Sequence, residues 1–139
     1  MELVFDTLVS GVPYFISHFG LTLIMLGAGV YIYEKITPYR ELELVREGNV
    51  AASISLAAAI LGLAIPLAAC LEGSVSLWDI FIWGWVILII QILAFFLASL
   101  VINNLKERIQ KDEIGPAILL FAGKISIALI NAAAISDKF

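Results

Sequence analysis

VAASISLAAAILGLAIPLAACL, residues 50–71, runs for 22 residues without a charge. A helix that crosses a bilayer needs about 20 consecutive, mostly apolar residues, and this stretch supplies them. It does not alternate polar with apolar, so it is not a membrane β-strand. Pro66 lies inside it, and a bilayer helix tolerates a proline where neighbours satisfy the freed carbonyl. Three other stretches qualify on the same grounds: 12–36, 77–101 and 114–135. The first stops before Thr37-Pro38, because a proline disfavours helical backbone at the residue before it. The reading is an all-α integral membrane protein of four transmembrane helices in one membrane domain, 1–139.

Composition agrees with that reading. Of 139 residues, 62% are hydrophobic and 14% charged, and the mean hydropathy is +1.04. Soluble domains run about 45–50% apolar and 25% charged, so the expected partner of this surface is the lipid bilayer. The net charge of −4 offers no basic surface to a nucleic acid. The start, Met1-Glu2-Leu3-Val4-Phe5-Asp6, lacks the positive region and cleavage site of a signal peptide, so the first span is expected to be permanent.

Lysine and arginine set the expected orientation. Lys35, Arg40 and Arg46 lie between spans one and two, and Lys106, Arg108 and Lys111 between spans three and four. The opposite side has Lys138 alone. The positive-inside rule then puts both basic loops in the cytoplasm and both termini outside. Tyr14, Trp78, Trp83 and Trp85 fall toward the outer interface, and Tyr31, Tyr33 and Tyr39 toward the inner one, as in an aromatic belt.

Shifted by 64 residues, the chain aligns with itself without a gap. Ile16 meets Ile80, Gly20 meets Gly84, Ala58 meets Ala122, and Ala64, Ala68 and Ala69 meet Ala128, Ala132 and Ala133. Two repeats, about 10–73 and 74–137, each hold two spans. They enter the membrane from the same side and are therefore parallel.

Small residues recur on one stripe of span two: Ala51, Ser55, Ala58, Gly62 and Ala69. Gly115, Ala122, Ser126 and Ala133 recur at the matching positions of span four. Small residues let helix backbones approach in lipid, so the two stripes are expected to face each other, with spans one and three outside.

Lys124 is the sharpest polar feature, near the middle of span four. A charge there costs about 2.5–3.5 kcal/mol on insertion scales, and such residues default to a functional reading. No span offers an acid to pair with it. Asn131 shares its side of the helix, about 200° from the small stripe, and both are expected to face away from the seam. Gln91 of span three lies at similar depth. Lys124, Gln91 and Asn131 are the candidate polar residues, suited to an interhelical hydrogen bond, an oligomer interface or a water-filled path. His18, a lone histidine in the outer part of span one, is a weak metal or proton-relay signal, Cys70 reads as a packing residue, and Asn49 as the cap of span two.

No Ser/His/Asp set, P-loop, HExxH or Rossmann glycine pattern occurs, so no enzyme, cofactor or metal is expected. The stretches Arg46-Glu47-Gly48-Asn49-Val50-Ala51-Ala52 and Ile130-Asn131-Ala132-Ala133-Ala134, with the Trp-rich start of span three and Gln91, resemble the YjfL-type bacterial inner-membrane proteins, domain-of-unknown-function family 350. The resemblance covers essentially the whole chain. It departs at Asp112-Glu113-Ile114-Gly115, where the second repeat lacks the Gly-Asn pattern. It implies the bacterial inner membrane and duplicated two-helix units, and carries no chemistry. The expected function is an oligomeric channel, transport or envelope-homeostasis component. The alternative is a scaffold that binds a soluble cytoplasmic partner through loops 34–49 and 103–113.

Overall fold

The structure is a computed structural model and describes residues 1–38, 40–73 and 76–136. Tyr39 of the expected inner belt and Lys138 of the tail lie outside them. Four long helices are apolar enough to cross a membrane: α1 (Glu2–Ile36), α3 (Val50–Gly73), α4 (Leu77–Val101) and α6 (Ile114–Ser136). Two short ones, α2 (Glu41–Arg46) and α5 (Leu105–Gln110), lie in the connections. The four spans are where the sequence places them, except that α1 begins ten residues earlier.

Local chemistry sets the helix ends. α1 stops at Thr37, whose backbone is extended (φ −67°, ψ 146°) ahead of Pro38. α4 opens with a capping box in which the amide of Ser76 donates to Asp79 Oδ2 at 3.2 Å. That use of Asp79 explains an acid in the first turn of a membrane helix.

α2 and α5 end in the same turn. Gly48 (φ 89°) and Asp112 (φ 61°) both take left-handed backbone. The amides of Gly48 and Asn49 donate to the carbonyls of Val45 and Leu44, and those of Asp112 and Glu113 to Ile109 and Arg108, at 2.9–3.0 Å. This is a Schellman closure. The two turns and their hydrogen bonds are 64 residues apart, as are the starts of α2 and α5 and those of α3 and α6. Glycine takes the left-handed position at no steric cost. Aspartate tolerates it, and Asp112 turns its carboxylate to the second turn's neighbour: Oδ1 accepts from the amide of Ala51 at 2.8 Å.

Asn49 caps α3 as expected, its Oδ1 accepting from the Ala52 amide at 2.8 Å. Its Nδ2 donates across the fold to the carbonyls of Ile109 (2.9 Å) and Gln110 (3.3 Å). The start of α3 is thus tied to both the end of α5 and the turn after it.

The longest helix–helix interface joins α3 and α6. α3 is the hub and packs on every other element. On α3 the residues of the expected stripe lie inward: Ala51, Ser55, Ala58 and Gly62 are buried, and Ala69 is half-buried. On α6 it is reversed. Gly115, Ala122, Ser126 and Ala133 are exposed, and the inner face is Ala117, Leu120, Lys124, Ala128, Asn131 and Ile135. The physical reason is the lysine. Small side chains lose little by facing lipid, whereas a charge on that face is expensive. Ile60, which aligns with Lys124 at the 64-residue shift, is 38% exposed. The two spans therefore present non-equivalent faces. α6 is also more exposed than α4, so span three is not the outer helix of the pair. Tyr33 leaves the expected belt, being fully buried, while Tyr14, Tyr31, Trp78 and Trp85 are exposed.

α1 and α4 run parallel. Gly84 faces Met25, whose tip would lie against an added Cβ, and the rings of Tyr33 and Phe95 meet edge to face, 6.1 Å between centroids.

Candidate functional site

Lys124 is buried (1% exposed), and its ammonium does not lack partners. In a helix the side chain leans toward the N-terminus, here the end of the bundle that carries α2 and α5. The stem therefore carries Nζ out of the centre of the span. There it hydrogen-bonds to the Tyr33 hydroxyl of α1 and lies 3.7 Å from the Tyr33 ring centroid. A desolvated ammonium over an aromatic face is attracted by the ring quadrupole.

The acid missing from the spans comes from a connection. Glu41, the first residue of α2, is fully buried and interacts with the Lys124 charge. α2 reads ELELVR, with Leu44 and Val45 packed on the core. Glu41 stands three and four residues before them, on the same stripe, so docking α2 carries the carboxylate inward. Glu34 holds that docking, its Oε1 accepting from the amide of Leu42 at 2.9 Å. Ser55 of α3 brings a hydroxyl to the same carboxylate. Among the described residues neither Glu41 oxygen has a partner in full hydrogen-bond geometry. Ser55, expected only to pack helices, thus belongs to this centre.

Burial pushes the Glu41 carboxyl up from 4.5 to about 7, and the nearby Glu34 adds to the rise. Lys124 and the Ser55 hydroxyl pull it back. A carboxyl raised in the folded state binds its proton more tightly there than in the unfolded chain. Its contribution to stability is complete below about 4.5 and is lost as pH climbs to about 7. Detergent-solubilised protein should therefore melt at lower temperature as pH rises across that window, and Glu41→Gln should flatten the slope. An unchanged slope in Glu41→Gln would assign it to another group.

Gln91 sits where α3, α4 and α6 meet. Its Nε2 donates to the Lys124 carbonyl at 3.4 Å. Gly62 makes the room, since a Cβ there would lie 2.6 Å from Gln91 Oε1. Lys124 and Gln91 are thus brought together, through a backbone carbonyl rather than the ammonium. Asn131 is buried on the Lys124 side of α6, two turns toward the chain termini. His18 of α1 is buried deeper toward that end, stacked on Tyr14 (3.7 Å between centroids) with Nδ1 at 2.9 Å from its carbonyl. Among the described residues, Gln91 Oε1, Asn131 Nδ2 and His18 Nε2 have no hydrogen-bond partner. An apolar cleft of about 220 Å³ between α4 and α6 reaches Lys124 beside Gly123 and Leu97.

Sequence reading missed Tyr33 and Glu41. The signal for Tyr33 was its place four residues after Gly29, which packs on Leu63. The signal for Glu41 was its spacing from Leu44 and Val45.

Known proteins match along nearly the full chain. The model of the family described as Domain of Unknown Function (DUF350) matches residues 7–135. The "UPF0719 inner membrane protein YjfL" of Escherichia coli K12 is 32% identical over 130 residues, 94% of this chain and 96% of the relative. The protein of that name from Escherichia coli O157:H7 matches to the same extent. No solved structure matches. An all-helical chain with four membrane-length helices, alike end to end to an inner membrane protein, belongs to the DUF350 family and is a small multi-pass protein of the inner membrane.

Proposed function

We propose that the protein is one subunit of an oligomeric assembly that conducts protons or a small polar solute across the membrane, with Lys124 and Glu41 as its titrating centre. One observation carries this reading: beyond the Glu41–Lys124 pair at the α2 end, buried polar atoms without a hydrogen-bond partner among the described residues recur at successive depths, in Gln91, then Asn131, then His18 toward the termini. In a bilayer an unpaired polar atom costs several kcal/mol. Water relieves both donors and acceptors and needs two to four polar partners to stay. A helical bundle built only for packing has no use for such a series. Four helices are few to enclose a path, so the reading requires at least a dimer. The matching Schellman turns and the 64-residue recurrence of elements support a parallel duplication as the origin of the bundle. The six basic loop residues favour α2 and α5 on the cytoplasmic side.

Proteoliposomes loaded with a pH-sensitive dye test the proposal. Wild-type protein should dissipate an imposed pH gradient or pass a small solute, and Lys124→Met should reduce the rate at least tenfold. Lys124→Arg keeps the charge but does not titrate, so it should fail in proton conduction as well. Unchanged flux in Lys124→Met would remove Lys124 from the mechanism. Wild-type vesicles as tight as empty ones to protons, alkali cations and small neutral solutes would sink the proposal.

A further inference from the structure

α1 is too long for the bundle it belongs to. Its 35 residues extend about 52 Å at 1.5 Å per residue, against a hydrocarbon core of about 30 Å. To hold all of α1 within that core would take a tilt of roughly 55°, beyond the usual 0–40°, and α1 instead runs parallel to the 25-residue α4. Met25 is level with Gly84 and Tyr33 with Phe95. Leu77, where α4 begins, is therefore level with the Phe15–His18 turn of α1. The helix projects roughly 20 Å past its neighbours at the end where the chain termini lie.

One side of the projecting part is a continuous apolar stripe. Phe5, Leu8, Val12, Phe15 and Phe19 are 65%, 57%, 44%, 60% and 44% exposed. Their spacing is three, four, three and four residues, the seam of two helices that wind around each other. The opposite side is mixed, with Asp6 and Ser10 beside the exposed Leu3. Within lipid, Phe15 and Phe19 need no protein cover. Beyond it Phe5 and Leu8 would face water, where burial is driven strongly.

The geometry points to a second copy of this chain as the cover: α1 pairs with α1 along Phe5, Leu8 and Val12, beyond the lipid core. The membrane surface is the competing cover, and charge disfavours it. Helices that lie in the interface carry Lys and Arg on their polar face. This segment carries Glu2 and Asp6, and α1 has no Lys or Arg before Lys35. The pairing is consistent with the oligomer that the conduction reading requires, and it stands whether or not the protein conducts.

Disulfide trapping in native membranes tests it, with Cys70 replaced by Ala so that the introduced thiol reacts alone. Leu8→Cys should give at least fivefold more covalent dimer than Ser10→Cys on the opposite face. Equal yields, or no dimer from Leu8→Cys while its thiol remains reactive to a small alkylating reagent, would overturn the proposal. A fluorophore at Leu8 in vesicles containing headgroup-quencher lipid gives a second readout. Weak quenching, no greater than at Ser10, supports a protein cover. Strong quenching at Leu8 alone means that lipid covers this face and overturns the pairing.

Discussion

Lys124→Glu is expected to destabilise the folded protein by about 3–5 kcal/mol, the range for breaking a buried ion pair by altering one partner. It places two carboxyl groups against each other beside Tyr33, in a space that burial already makes hostile to one. The exchange Glu41→Lys with Lys124→Glu should recover more than half of the loss, because the pair is restored with its ends reversed. Each single change removes an interaction that crosses from α2 to α6, and the double-mutant cycle isolates it. Reversible unfolding in mixed micelles measures all three. A double variant as unstable as the sum of the singles would mean that Glu41 and Lys124 do not act on each other.

Asn49→Ala should cost about 1.5–2.5 kcal/mol, the second large effect. The side chain does two things at once. Its oxygen caps α3 through the Ala52 amide, and loss of such a cap costs typically about 1 kcal/mol. Its nitrogen donates to the carbonyls of Ile109 and Gln110; Ile109 keeps the Asp112 amide as a partner, so the loss is that of a hydrogen bond, about 0.5–1.5 kcal/mol. Asn49→Ser should keep the cap alone and fall between wild type and Ala. Asn49→Asp should do no better than Ala, since it turns an acceptor oxygen toward two carbonyl oxygens. Amide exchange reads the local event: protection at Ala52 should survive in Asn49→Ser and fade in Asn49→Ala. Equal stability of Asn49→Asp and wild type would deny the cross-fold bonds any weight.

Both effects concern residues whose place the sequence showed only in part. Asn49 reads as a cap because Asn followed by a long apolar run is a local pattern. Its second role depends on α5 lying alongside, 60 residues away in the chain. Lys124 stands out because one charge interrupts a run of apolar residues. Its acid partner lies in a short helix between spans, where a glutamate reads as a solvated loop charge. The inward stripe of α2 is only three residues wide, too little for periodicity to speak. The face of α6 was misjudged for a related reason. Small residues matched those of α3 at a constant offset, but that match says nothing about the rotation of one helix against another. The need to shield Lys124 and Asn131 settled the rotation.

Hydropathy alone determined that four segments cross a membrane, because the bilayer acts on every residue independently and its thickness is a fixed ruler. Proline, capping residues and left-handed turn positions likewise set most helix ends, since each acts within a few bonds of itself. Which side of each helix turns inward, and that Tyr33, Glu41, Ser55 and Lys124 share one buried space, was decided by tertiary packing. Such contacts join groups from four helices, and their free energy exists only once the helices have come together.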